Sequence, residues 1–168
     1  MIRLTTPISE EAISQLKVGD VVSITGYIYT GRDAVLPKIV KSVEESSLPE
    51  INVDLFGQVI FHTAVSPAGV GPTSSNKVEI ESTFAPLAKA GVKMFLGKGA
   101  ISTQTVEALK QYNAVFAIIP PVTALLESQT LEREVVAYPE LGMEALHRLK
   151  VENYQAIIAS AKGNSIYE

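Results

Sequence analysis

The chain contains no cysteine, no tryptophan and only two histidines, His62 and His147. Without cysteine there is no disulfide and no thiolate nucleophile. The usual ligands of an iron–sulfur cluster or a structural zinc are missing as well. Two histidines do not furnish a self-contained transition-metal site, so a metal that takes part in the function is expected to come from another chain. Long apolar runs are also lacking: none approaches the roughly 18 residues that span a bilayer. Met1-Ile2-Arg3-Leu4-Thr5-Thr6-Pro7 has no apolar signal core, and a cytoplasmic location with no membrane contact is the expectation. Nor is there an excess of positive charge. Fourteen Lys+Arg against 18 Asp+Glu give a net charge of -4, which speaks against nucleic acid as the main partner.

What is present suits a folded chain. The 168 residues are 46% hydrophobic and 19% charged, enough for one domain over residues 1–168 with a real core. Helix and strand signals alternate. Ile8-Ser9-Glu10-Glu11-Ala12-Ile13 reads as a helix start, with Ser9 a fit N-cap, Glu10 and Glu11 in the first turn, Ile8 able to staple onto Ile13, and Gly19 as the stop. Val21 to Thr30 is β-branched and aromatic, with Val22, Ile24 and Ile28 on one face. A helix is predicted within Asp33–Glu45, beginning no earlier than Pro37 permits. Further strands are predicted at Gln58–Ala64, Val92–Leu96, Ala114–Ile119, Glu134–Tyr138 and Ala156–Ser160. Further helices are predicted at Val78–Ala90, from Ser102 or Thr103 through Tyr112, and at Met143–Lys150. Lys162-Gly163-Asn164-Ser165 reads as a turn. The pattern is that of an α/β chain with helices over a mixed or parallel sheet.

Three cations follow strand ends, each among glycines or hydroxyls. Arg32 stands in Thr30-Gly31-Arg32-Asp33, Lys77 closes Gly71-Pro72-Thr73-Ser74-Ser75-Asn76-Lys77, and Lys98 lies in Gly97-Lys98-Gly99. Ligands of open α/β sheets collect at the C-terminal ends of strands. Helix-start N–H groups, hydroxyls and cations there favour an anion. A lone surface cation is ordinarily just solvated; three in matching positions point to a site. A small dicarboxylate suits them, since Arg grips a carboxylate bidentately and Lys supplies a point charge. Nucleotide fingerprints are incomplete: Gly69-Val70-Gly71 lacks the third glycine, and no Gly-Lys-Ser/Thr follows. Serine-hydrolase chemistry is discounted for want of a Gly-x-Ser-x-Gly elbow. His62 lies in an apolar strand and reads as a core or surface histidine. His147, on the predicted helix beside Arg148, reads as solvated.

Several segments together resemble the β subunit of the two-subunit class I fumarase and L-tartrate dehydratase family. They are Leu16-Lys17-Val18-Gly19-Asp20-Val21-Val22, Thr25-Gly26-Tyr27-Ile28-Tyr29-Thr30-Gly31-Arg32-Asp33-Ala34, Gly71-Pro72-Thr73-Ser74-Ser75 and Gly97-Lys98-Gly99. The close is similar too: Glu134-Val135-Val136-Ala137-Tyr138, Leu141-Gly142-Met143-Glu144-Ala145 and Lys162-Gly163-Asn164-Ser165-Ile166-Tyr167-Glu168. The resemblance implies a swivelling β/β/α domain. It also implies a cysteine-bearing α subunit that holds a [4Fe–4S] cluster, whose open iron acts as a Lewis acid on the substrate. It places Arg32 and Lys98 against substrate carboxylates, Lys77 and Ser74 among the substrate-binding residues, and Thr73 at the position of the family's proposed base hydroxyl. A free Thr hydroxyl is a poor base and needs activation by nearby cations or N–H donors; the competing role for Thr73 is to hydrogen-bond a carboxylate.

This chain departs from the family pattern at three places. Lys77 stands where Arg is usual, Leu36 where His is usual, and Val78-Glu79 where Met-Asp is usual. The function expected from the resemblance is fumarate hydratase, with L-tartrate dehydratase as the close alternative. A non-catalytic small-anion binding module is the alternative of another class.

Overall fold

A computed structural model describes residues 1–45, 54–63, 65–66, 69–70, 81–119 and 128–166. The chain opens with β1 (Ile2–Thr5), α1 (Glu10–Ser14), β2 (Val21–Thr30) and α2 (Leu36–Glu44). It continues through β3 (Val59–Phe61), the short hairpin β4 (Val65–Ser66) and β5 (Gly69–Val70), α3 (Phe84–Lys89), β6 (Met94–Gly97), α4 (Thr103–Gln111) and β7 (Val115–Ile118). β8 (Thr130–Ala137), a 3-10 turn (Pro139–Glu144), β9 (Leu146–Ala161) and β10 (Asn164–Ser165) complete it.

One long strand organises the rest. β9 runs 16 residues and pairs with β2 along one edge, from Val21↔Ile157 to Thr30↔His147. Along its other edge it takes β8 first and β7 afterwards. β2, β3, β6 and β7 are parallel neighbours, so the pairings close into a ring of β2, β3, β6, β7 and β9. Alternation along each strand sends one set of side chains inside. Val22, Ile24, Ile28, Phe61, Leu96 and Ile158 belong to this interior core, where the Phe61 and Tyr154 rings meet edge to face at 6.4 Å. The opposite set, with Ile60, Phe95 and Phe116, packs under Leu36 and Ile39 of α2, Phe84 and Leu87 of α3, and Leu109 of α4. The result is an α/β architecture in β/β/α layers: antiparallel β8–β9, the parallel strands, then helices.

Local signals explain most elements. Ser9 accepts the Ala12 N–H, and Ile8 and Ile13 are buried in one cluster. Ser102 caps α4 by accepting from Thr105 N–H, and Pro37 sits in the first turn of α2. At Lys162-Gly163 both φ values are positive, which turns β9 into β10.

Three expectations are corrected. Met143–Lys150 is not a helix. Gly142 takes φ 59, ψ -120 and Ala145 is extended, so the chain leaves the turn directly into β9. Leu146 and Leu149 mimic a helical spacing, but this stretch is a strand hydrogen-bonded on both edges. The Val78–Ala90 helix is interrupted: residues 78–80 lie outside the described residues, Glu81 is helical, 82–83 form a turn, and α3 runs from Phe84 to Lys89. Pro86 has no N–H to donate and is tolerated only in a first turn. The first helix stops at Ser14, not Gly19; Gly19 donates its N–H to Ile158 C=O at 2.8 Å, at the entrance to β2. No helix among the described residues is long and apolar enough to cross a membrane.

Candidate functional site

The parallel strands bring their C-terminal ends to one edge. Thr30 lies opposite Phe61 and Phe61 opposite Leu96, so Arg32 and Lys98 each stand two positions beyond a matched register. β3 lies between them. With neighbouring strands about 4.8 Å apart, the two loops leave the sheet about 10 Å from one another. This is the spacing across which side chains of two loops can share one small ligand.

Arg32 is tied down at its backbone. Gly31 N–H donates to Phe61 C=O at 3.1 Å, and Arg32 C=O accepts from Leu36 N–H at 2.9 Å. A Cβ at Gly31 would stand 2.7 Å from Val35 Cγ1 and 3.0 Å from Leu36 Cδ2, so glycine is what lets α2 fold back this closely. Arg32 is not the isolated cation that the sequence suggests. Its Nε donates to Glu144 Oε2 at 3.1 Å and its Nη2 pairs with Glu144 Oε1. The two side chains keep 29% and 26% of their exposure. The Glu144 carboxylate holds the guanidinium pKa above its ordinary value.

Lys98 is exposed at the tip of the turn after β6. Gly97 makes that turn fit, since a Cβ there would press 3.2 Å from the Phe116 ring and 3.4 Å from His62 Nδ1. His62, just past β3, is 2% exposed. It stacks on Phe84 at 5.0 Å, and its Nε2 has no hydrogen-bond partner among the described residues. Burial pushes its pKa down to about 3, so the ring is neutral. It is a core histidine as expected, though not a satisfied one.

His147 is a second correction. It lies buried on β9 opposite Thr30 and Val135, not solvated on a helix. Its Nδ1 meets Ala145 C=O at 3.0 Å, which makes Nδ1 the protonated nitrogen. Burial lowers its pKa, the Ala145 carbonyl opposes that, and the charge of Arg133 adds to the lowering. His147 belongs to an open cleft of about 480 Å³ whose wall also includes Val65, Arg133, Val135 and Met143. The cleft adjoins the Arg32–Glu144 pair through the 3-10 turn. Sequence reasoning assigned no role to Glu144 or Arg133. The Gly142 break was the signal that the segment carrying Glu144 and His147 is not helical.

Thr73, Ser74 and Lys77 lie outside the described residues. Among the described residues no three His, Asp or Glu side chains gather as a metal site, and the chain has no cysteine. Its residues therefore do not fit an iron–sulfur cluster of their own.

A family model described as Fumarase C-terminus matches residues 1–168. The chain is 35% identical over 181 residues to a putative fumarate hydratase class I of Geobacillus stearothermophilus, with all of this chain and 34% of that protein covered. It therefore spans about a third of that relative. It is 33% identical over 177 residues to the L(+)-tartrate dehydratase subunit beta of Escherichia coli K12, covering 97% of this chain and 85% of the relative. A putative L(+)-tartrate dehydratase subunit beta of Methanocaldococcus jannaschii is 30% identical over 176 residues, with 96% and 88% covered. The chain belongs to the fumarase C-terminal family.

Proposed function

We propose that this chain is the β-type subunit of a two-subunit [4Fe–4S] hydro-lyase. Its favoured reaction is that of fumarate hydratase, the reversible loss of water from (S)-malate to give fumarate. What carries the reading is that the strands leading to Arg32 and Lys98 end in matched register at one edge of one parallel sheet. There Arg32 can grip one carboxylate of a four-carbon substrate while Lys98 offers a point charge to the other. Kinship over the whole chain supports the same reading.

The partner in this reading is a cysteine-bearing α subunit, which holds the cluster because this chain cannot. A single-chain relative three times as long and relatives named as beta subunits support such a partner. Val135 and Met143, 46% and 54% exposed, line the cleft with His147 and give it apolar surface to cover. This chain's share is substrate placement by Arg32, Lys98, Lys77 and Ser74. Thr73 is proposed as the base that takes the proton from the carbon next to the departing hydroxyl. L(+)-tartrate dehydratase is the second reading, favoured by relatives whose own length this chain nearly fills.

The test is anaerobic co-production with the cysteine-bearing partner, cluster reconstitution, and assays on fumarate, malate and tartrate. Activity that requires both chains supports the subunit reading, and the substrate ratio chooses between the two reactions. No complex at all would leave a stand-alone small-anion binder as the better account. Thr73→Ala should suppress turnover and spare assembly; equal loss of both would make residues 71–77 a structural loop.

A further inference from the structure

We infer that Glu144 is a positioning residue that fixes which face of Arg32 meets the substrate; this rests on the reading of Arg32 as a carboxylate-binding residue. A guanidinium has five N–H donors in one plane. Glu144 takes the Nε–H and one Nη2–H side-on. The donors left free among the described residues are both Nη1 hydrogens and the second Nη2 hydrogen, and the Nη1 and Nη2 hydrogens form an end-on fork suited to a second carboxylate.

The pairing spans 112 residues of sequence and joins two independently anchored pieces. Arg32 is held by the start of α2, since its own C=O accepts the Leu36 N–H at 2.9 Å. Glu144 closes a turn whose backbone is set by left-handed Tyr138 and by Gly142, and Ala145 N–H returns to Gly142 C=O at 3.0 Å. A flexible arginine in solvent would reach a ligand through many rotamers. One clamped at its side has few left, and the ordering cost is met before the substrate arrives. The pair also carries no net charge, so among the described residues the positive field for a dianion falls to Lys98.

The experiment uses the assembled two-chain enzyme with Glu144→Gln, Glu144→Asp and Arg32→Ala. The probes are the turnover substrate and succinate, a four-carbon dicarboxylate that cannot lose water. Glu144→Gln is expected to raise KM and the succinate inhibition constant about tenfold with a smaller change in kcat, because a lost orientation weakens a charge-assisted bidentate contact. Glu144→Asp, which keeps the carboxylate, should recover part of the loss. Complex formation and melting temperature should stay at wild-type values in both. Unchanged KM and succinate binding in Glu144→Gln, with both lost in Arg32→Ala, would make the pair an ordinary surface contact and overturn the inference alone. Tighter succinate binding in Glu144→Gln would show that Glu144 competes for Arg32 and would also overturn it. If Arg32→Ala leaves binding and turnover intact, the site reading itself fails and the inference with it.

Discussion

Replacing His62 by Leu, of similar volume, should change how stability depends on pH. His62 is 2% exposed, its Nε2 has no partner among the described residues, and burial holds its pKa down at about 3. An unfolded histidine has a pKa of about 6.5. Between those two values the unfolded chain carries one more proton than the folded chain, so stability falls as pH falls, by at most about 1.4 kcal/mol per unit. From pH 7 to pH 5 the loss through this one residue integrates to about 2 kcal/mol. At roughly 2–4 °C per kcal/mol for a chain of this size, that is a drop in Tm of about 4–8 °C. Above pH 7 the contribution is fully present and flat. His62→Leu removes the proton-linked loss and also an unsatisfied buried nitrogen, whose desolvation costs about 1–3 kcal/mol. The variant should therefore match or exceed wild type at pH 7 and lose less between pH 7 and pH 5. The assay is calorimetric or circular-dichroism melting of both proteins at pH 7, 6 and 5. His147, also shifted down by burial, leaves a residual slope in the same direction. An identical pH 7-to-5 difference in the two proteins would refute the buried, neutral state assigned to His62.

Gly31→Ala meets Val35 Cγ1 at 2.7 Å and Leu36 Cδ2 at 3.0 Å, and should cost about 1–3 kcal/mol by overpacking. Adding Leu36→Ala should be less than additive in a melting double-mutant cycle, and strict additivity would deny the contact. Ser102→Ala removes the cap of α4 and should lower stability by about 1 kcal/mol, readable as a shift of the urea midpoint at constant m. Glu10 pairs with Lys93, which is 4% exposed, and Lys93 with Asn113 holds the Glu10 carboxyl below its ordinary pKa of 4.5. The folded pKa lies below the unfolded one, so the pair's stabilisation is full at neutral pH and is lost as pH falls below about 4.5. Glu10→Gln should remove that acid-side loss, and a melting series from pH 6 to pH 3.5 checks it.

Sequence legibility followed how local the cause was. β2 was readable at both ends because its β-branched alternation is bounded by Gly19 and Gly31, and the α4 start because Ser102 caps it through a bond three residues away. The first half of β9 was not readable. Its helical spacing of leucines and its helix-forming Arg and Lys were overridden by pairing on both edges, and the alternation of Leu149 and Val151 with Arg148, Lys150 and Glu152 is too short to outweigh them in a window. That error hid two features of the site, the buried place of His147 and the Glu144 clamp. Arg32 was placed correctly because it needs only the end of β2. Its partner required the closure of the ring, which no spacing within a window reveals.

The ring also separates the chain's departures from its family pattern by their consequences. Leu36 is fully buried with Val35 and Ile39, donates its N–H to Arg32 C=O, and packs into the space that Gly31 leaves open. An imidazole at that depth would need a hydrogen-bond partner of its own. Leucine there is accounted for by packing beneath Arg32. Lys77 lies on the segment that carries Thr73 and Ser74, and exchanging a fork for a point charge alters how a carboxylate is held. With Arg32 clamped side-on and Lys98 on its glycine turn, the proposed site has one bidentate grip and two point charges. An end of the substrate held by point charges is free to rotate in a way that a doubly forked one is not. Any difference in substrate preference between this chain and its relatives is therefore to be sought at Lys77 before Leu36.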